Sequence, residues 1–192
     1  MALAVQNVRM TAEEFVLWHA QQDENYELVA GIPVKMMTGA LNRHSRAASN
    51  IHISLARQLM DGPCEAFIAD GAVRVNDDQV RYADVTVDCG PVDLDDYFLS
   101  DARLVVEILS PSTLRVDLFT KLAEYQNVSS IQYVLIVDAA NLEAVLHARG
   151  ESGWEARQFS HHSDVIDLPL LSAQIPLSEM FRNIAAVGTD IQ

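Results

Sequence analysis

The sequence predicts an α/β (α+β) protein, a mixed central sheet with helices packed on it, and three observations carry that expectation. Short runs rich in Val, Ile and Leu recur between turn residues, as strands do. Two longer stretches repeat apolar residues every three or four positions, as helices do. No internal repeat, linker or low-complexity segment divides the 192 residues, so one domain spanning 1–192 is expected, with its core over about 10–183.

Thr11 followed three residues later by Glu14 is a capping box, and it opens a short helix predicted to end near Gln22. Tyr26 to Val29, the turn at Ala30-Gly31 and Ile32 to Met37 form a predicted β-hairpin. From Asn42 to Met60, His44, Ala47, Ala48, Ile51, Leu55 and Leu59 fall on one face of a long helix that Asp61-Gly62-Pro63 stops. Cys64 to Ile68, Val73 to Val75 and Val80 to Val87 are predicted strands, and 91–100 a loop. After the strand Leu104 to Leu109, Ser110-Pro111-Ser112-Thr113 stops and caps, and Leu114, Leu118, Leu122 and Tyr125 form the stripe of a second helix. Ile131 to Val137 is a buried strand, Leu142 to Ala148 and Trp154 to Phe159 a hairpin, and Leu177 to Ile184 a closing helix.

Composition narrows the function classes. The 13 basic and 27 acidic residues leave a charge of −14, which argues against a surface that holds polyanions by bulk electrostatics. No apolar run approaches the roughly 18 residues needed to span a bilayer. Met1 to Met10 lacks the blocks of a secretory signal, so a cytoplasmic protein without a membrane partner is expected. Cys64 and Cys89 lack the number and spacing of a disulfide framework or zinc site and are predicted core thiols. Neither a Walker loop nor a dinucleotide glycine fingerprint is present, so no nucleotide cofactor is implied.

Two carboxylates stand out against this background. In Val80 to Val87, alternation places Tyr82, Asp84 and Thr86 on one face and Ala83, Val85 and Val87 on the other. Glu107 interrupts an otherwise apolar strand, sharing its face with Val105 and Leu109, while Leu104, Val106 and Ile108 point oppositely. A Glu there needs a cation, a hydrogen-bond network or an opening to solvent. If the two strands are neighbours, Asp84 and Glu107 could hold Mg²⁺ together, with waters and a phosphate oxygen completing its shell. Lys121, at the border of the second helix's stripe, could carry its ammonium to the same site, where a lysine orients a nucleophile or offsets developing charge.

Each residue also has a plainer reading. Asp84 could be a strand-end polar residue, Glu107 half of a buried salt bridge, Lys121 the partner of Asp117 four residues earlier, and Glu27 a hairpin surface charge. His44 falls on its helix's apolar face, which favours a core histidine over a phosphate-binding or proton-transfer role. His161 and His162 are predicted loop residues.

Tyr26-Glu27-Leu28-Val29-Ala30-Gly31, His44 in a helix, Tyr82-Ala83-Asp84-Val85, the run Val105 to Thr113 and Asp117 to Tyr125 resemble the Uma2 (Uma-two) family over roughly residues 10–183. The resemblance implies a restriction-endonuclease-like domain of the PD-(D/E)XK type. It implies a metal-dependent endonuclease that hydrolyses DNA phosphodiester bonds, with Asp84 and Glu107 as metal ligands for Mg²⁺ or Mn²⁺ and Glu27 as an additional acidic residue. Lys121 then replaces the lysine ordinarily two residues after the second carboxylate, a position held here by Leu109, and Ala83 stands where the family's proline precedes the aspartate. A homodimer follows by analogy with nucleases that cut both strands. Two alternatives stay open: a catalytically degenerate nuclease fold acting as a binding or assembly module, and a hydrolase of a smaller phosphoester.

Overall fold

The computed structural model describes residues 9–36, 39–91, 93–110 and 115–187, with side chains from 118 onward in the last stretch. Pro111, Ser112 and Thr113 of the predicted cap, Leu114 of the predicted stripe and the side chain of Asp117 lie outside the described residues.

Helix α1 (Ala12–His19) starts on the predicted capping box, Thr11 accepting from the Glu14 backbone and Glu14 from that of Thr11. It ends before Gln22. Strands β1 (Tyr26–Val29) and β2 (Ile32–Lys35) are joined by Ala30 and Gly31, both at positive φ (48° and 78°), the geometry of the tight hairpin turn whose twist matches the strands. Helix α2 (Asn42–Leu59) follows, then β3 (Glu65–Ile68), β4 (Ala72–Asn76), β5 (Gln79–Tyr82), β6 (Val85–Asp88) and β7 (Ala102–Ile108). Helix α3 (Arg115–Asn127), β8 (Tyr133–Asp138), β9 (Glu143–Gly150) and β10 (Gly153–Phe159) complete the middle of the chain. A small hairpin, β11 (Val165–Leu168) with β12 (Ala173–Pro176), precedes α4 (Leu177–Met180), which is shorter than the predicted closing helix.

Two sheets dominate, one of six strands ordered β10-β9-β8-β7-β6-β3 and one of four ordered β2-β1-β5-β4. All their pairings are antiparallel except β7–β8, which α3 connects as a crossover, so the mixed sheet of the prediction is present. The apolar face of α2 packs with α4 and the β11–β12 hairpin on one side of the large sheet, closing the main core around Leu104, Val106 and Leu135. On the other side Tyr125 and its neighbours pack against Val105, Val134 and Ile136, and α3 also meets β4 of the small sheet. A third cluster lies under α1 around Phe15, Leu28 and Val80.

Two expectations are corrected. Val80 to Val87 is not one strand: β5 belongs to the small sheet and β6 to the large one, with Ala83 and Asp84 at the crossing. Ala83 therefore packs beneath α3, whereas Val85 and Val87 enter the core under α2. Cys64 and Cys89 are not free core thiols but a disulfide, with sulfurs 1.99 Å apart. Its cause is register, because β3 pairs with β6 through Glu65 and Asp88, and the cysteines are the next residues outward on each strand.

Candidate active site

The crossing from β5 to β6 sets Asp84 just before the start of β6, beside β7. Val85 pairs with Val106, so one step further along this antiparallel register Asp84 faces Glu107 across neighbouring strands. Its carboxylate is held in place: Oδ2 accepts from the backbone N–H of Ile108 at 2.7 Å and lies 3.3 Å from His44 Nε2. His44 is thus not a core residue as its spacing suggested. It stands in the first turn of α2, facing the carboxylate, and that hydrogen bond raises its pKa above the ordinary imidazole value against the opposing pull of burial.

Glu107 sits on the α3 side of β7, as the alternation predicted, with Val105 and Leu109 as face-mates. Tyr125 donates its hydroxyl to Oε1 at 2.7 Å, and the same oxygen lies 3.6 Å from Lys121 Nζ. Burial pushes the Glu107 carboxyl up to about 7; Lys121 and the Tyr125 hydroxyl oppose this, while the Asp84 and Glu27 charges add to it. Its negative charge is therefore incompletely compensated.

Lys121 and Glu27 come from opposite walls. Lys121 reaches in from α3 and donates to Glu27 Oε1 at 2.9 Å, and Arg81 on β5 takes the other oxygen, Oε2, at 2.6 Å. Arg81 also forks onto both oxygens of Glu124 on α3, at 2.7 and 2.9 Å, and its side chain is only 3% exposed. Burial works against the charge on Lys121, but Glu107 and Glu27 outweigh it and hold the ammonium above its usual range. Arg81 and Glu124 escaped the sequence reading. Only the β1–β5 pairing and the docking of α3 make Arg81 a hub.

These groups open into one cavity of about 480 Å³, lined among others by Glu27, His44, Arg81, Asp84, Glu107 and Lys121. All four residues singled out as catalytic thus share it. Among the described residues no three His, Cys, Asp or Glu side chains are placed to ligate one ion together. The donor set still fits a hard divalent cation of the magnesium kind, which is held by one or two carboxylates and keeps several waters. Asp84 and Glu107 are the two carboxylates that would hold it, whereas Glu27 has both oxygens engaged by cations of the chain. His161 and His162, in an exposed turn, are not drawn into the cavity.

This fold, with two carboxylates on adjacent sheet strands and a lysine brought in from a helix, matches that of a solved putative nuclease. The chain belongs to the Uma2 family, described as "Putative restriction endonuclease", whose model matches residues 12–178. It is similar to the uncharacterized protein slr1290 of Synechocystis sp., 27% identical over 180 residues that cover 92% of this chain and 94% of the relative. In structure it is similar to a putative nuclease belonging to DUF820 from Anabaena variabilis ATCC 29413, with a TM-score of 0.72 and 16% identity over 90% of this chain and 97% of that one. At that identity the likeness is one of fold. No helix of the described residues is long and apolar enough to cross a membrane.

Proposed function

We propose that this chain is a metal-dependent phosphodiesterase that cleaves DNA, with Asp84 and Glu107 holding Mg²⁺, or Mn²⁺ in its place. The observation that carries the reading is the pairing of these two carboxylates in one cavity, together with the incompletely compensated charge on Glu107. A divalent cation is what would relieve that charge. When bound, such an ion polarises a phosphoryl oxygen and lowers the pKa of its water.

The chain's own residues supply the rest. The Ile108 N–H and His44 fix the rotamer of Asp84, and Tyr125 does the same for Glu107, so neither carboxylate has to be ordered when substrate arrives. Lys121, 3.6 Å from Glu107, is placed to orient a water or offset charge on the phosphoryl group. Glu27 fixes Lys121, and Arg81 fixes Glu27. In this reading Glu27 assists through the lysine. A cytoplasmic setting, natural for an enzyme acting on DNA, exposes the Cys64–Cys89 pair to reductants.

The test is calorimetric titration of Mg²⁺ and Mn²⁺ into the wild type, Asp84→Ala and Glu107→Ala, with plasmid nicking on the same samples. Binding and nicking present in the wild type and lost in both variants are expected. A folded wild type that binds neither ion would overturn the proposal in favour of a binding or assembly module.

A further inference from the structure

The cavity that holds Asp84 and Glu107 has a second wall, which the carboxylate chemistry leaves unused. Val34 pairs with Glu27 across the β1–β2 ladder, so both project from the same face of the small sheet; Val29, two residues along β1, shares that face. Val29, Val34, Met36 and Ala40 line the cavity beside the charged groups. Val34 is 47% exposed, so apolar carbon stands in solvent within the site itself. The hairpin has put a hydrophobic surface next to a phosphodiester-cleaving centre.

The cations lining the same cavity are already committed. Lys121 is paired with Glu27, Arg81 with Glu27 and Glu124, and Lys35 with Glu24. Beyond the cavity Arg74 is held by Glu13 and Asp77, and Arg103 by Asp101. Duplex binding draws its affinity from many protein cations set against successive phosphates, and in this chain of charge −14 the Lys and Arg side chains lining the cleft are engaged by carboxylates. The volume of about 480 Å³ is that of a small-molecule site.

We propose that the wall of Val29, Val34 and Met36 receives a nucleobase, and that the cleft takes an unpaired strand or strand end, one or two nucleotides at a time, in preference to intact duplex. This rests on the phosphodiesterase reading and specifies its substrate. In a duplex the bases flanking a phosphate are paired and stacked inside the helix. An unpaired strand can turn one base onto the wall while its phosphate reaches the carboxylates. Contact between the base and the wall then supplies affinity that phosphate contacts do not.

Fluorescence anisotropy tests this on the full chain in Ca²⁺, at one fixed salt concentration, with a labelled four-nucleotide oligothymidylate and a labelled blunt duplex as probes. The oligothymidylate is expected to bind at least about tenfold tighter than the duplex, and Val34→Asn to weaken it by about tenfold with no change in melting temperature. Asn is neutral, so a loss cannot come from charge repulsion. Duplex binding as tight as the single strand, no binding of either probe, or an unchanged affinity in Val34→Asn would overturn the inference. Those results leave metal titration and nicking untouched. Single-strand binding intact, with no cleavage of the same oligothymidylate in Mg²⁺ or Mn²⁺, would instead strike the phosphodiesterase reading alone.

Discussion

The two faces of β7 are built from alternate residues of one short strand and have opposite tasks. Leu104, Val106 and Ile108 enter the main core against α2, among Ala47, Ile51, Leu55 and Leu135, and the buried polar groups on that side, Asn50 and Ser54, are hydrogen-bonded to the segment around α4. Val105, Glu107 and Leu109 turn toward α3, and there the middle residue meets Tyr125, Lys121 and Asp84. A well-packed apolar residue at 107 would be at least as stabilising as a buried, partly compensated charge. On the proposed reading, the difference between the faces teaches that Glu107 is kept for chemistry and that the surrounding ion pairs are the means of keeping it.

The largest effect expected from breaking this arrangement is at Arg81, which stands between Glu27 and Glu124. Arg81→Met leaves the buried Glu124 without its cation and Glu27 with Lys121 alone, and about 3–5 kcal/mol of stability should be lost in urea denaturation. A loss below about 1 kcal/mol would mean that water, and not Arg81, satisfies these carboxylates. Next comes Lys121→Met, expected to lower nicking about 10²-fold while calorimetry still finds the metal bound. If metal binding vanished together with nicking, the lysine would be holding the carboxylates in place and not serving the reaction.

On the other face of β7, Val106→Ala should cost about 2 kcal/mol through lost burial and the cavity it leaves, with metal affinity and nicking unchanged at temperatures where the variant is folded. A change in metal affinity would show that the α2 side of the strand sets the position of Glu107, and the division of labour between faces would be less sharp than the packing implies.

How much of this was legible in the sequence depends on how local the cause is. Glu107 was legible because alternation along a single strand sets its face and an acidic residue there breaks the apolar pattern. The capping box, the Ala30-Gly31 turn and α2 were likewise written in adjacent residues. The break at Ala83–Asp84 was missed: the apolar phase slips there, from Val80 and Tyr82 to Ala83, Val85 and Val87, but no glycine or proline marks the change of sheet. Arg81 and the Cys64–Cys89 bond depend on partners 54, 43 and 25 residues away, brought close only by strand pairing and the docking of α3. His44 followed the helical period of Ala47, Ala48 and Ile51. Periodicity cannot tell that the first turn of α2 stands opposite Asp84 while the later turns cover the core. The β11–β12 hairpin went unseen because its strands are four residues each, with Pro169 and a short turn of helix between them.

The remaining expected effect is in the pH dependence of stability, and it bears most directly on the comparison. In the unfolded chain Glu107 titrates near its ordinary 4.5, whereas in the folded protein burial pushes it up to about 7. Over that interval the folded state holds a proton that the unfolded state has released, so protonation favours folding. The contribution of Glu107 is therefore fully present below about 4.5, declines as pH rises toward about 7 and is flat above it. His44, whose pKa is also raised, pulls in the same direction, so the measurement has to be a difference. Denaturation of the wild type and Glu107→Gln across this range should diverge steadily as pH rises, the wild type losing ground to the variant. Saturating Mg²⁺ favours the ionised carboxylate and should restore the wild type at neutral pH while leaving the variant where it was. A difference that stays flat would mean that Lys121 and Tyr125 already balance the charge. The α3 face of β7 would then be a second, salt-bridged core like the cluster around Arg81, and its contrast with the α2 face would lose its functional meaning.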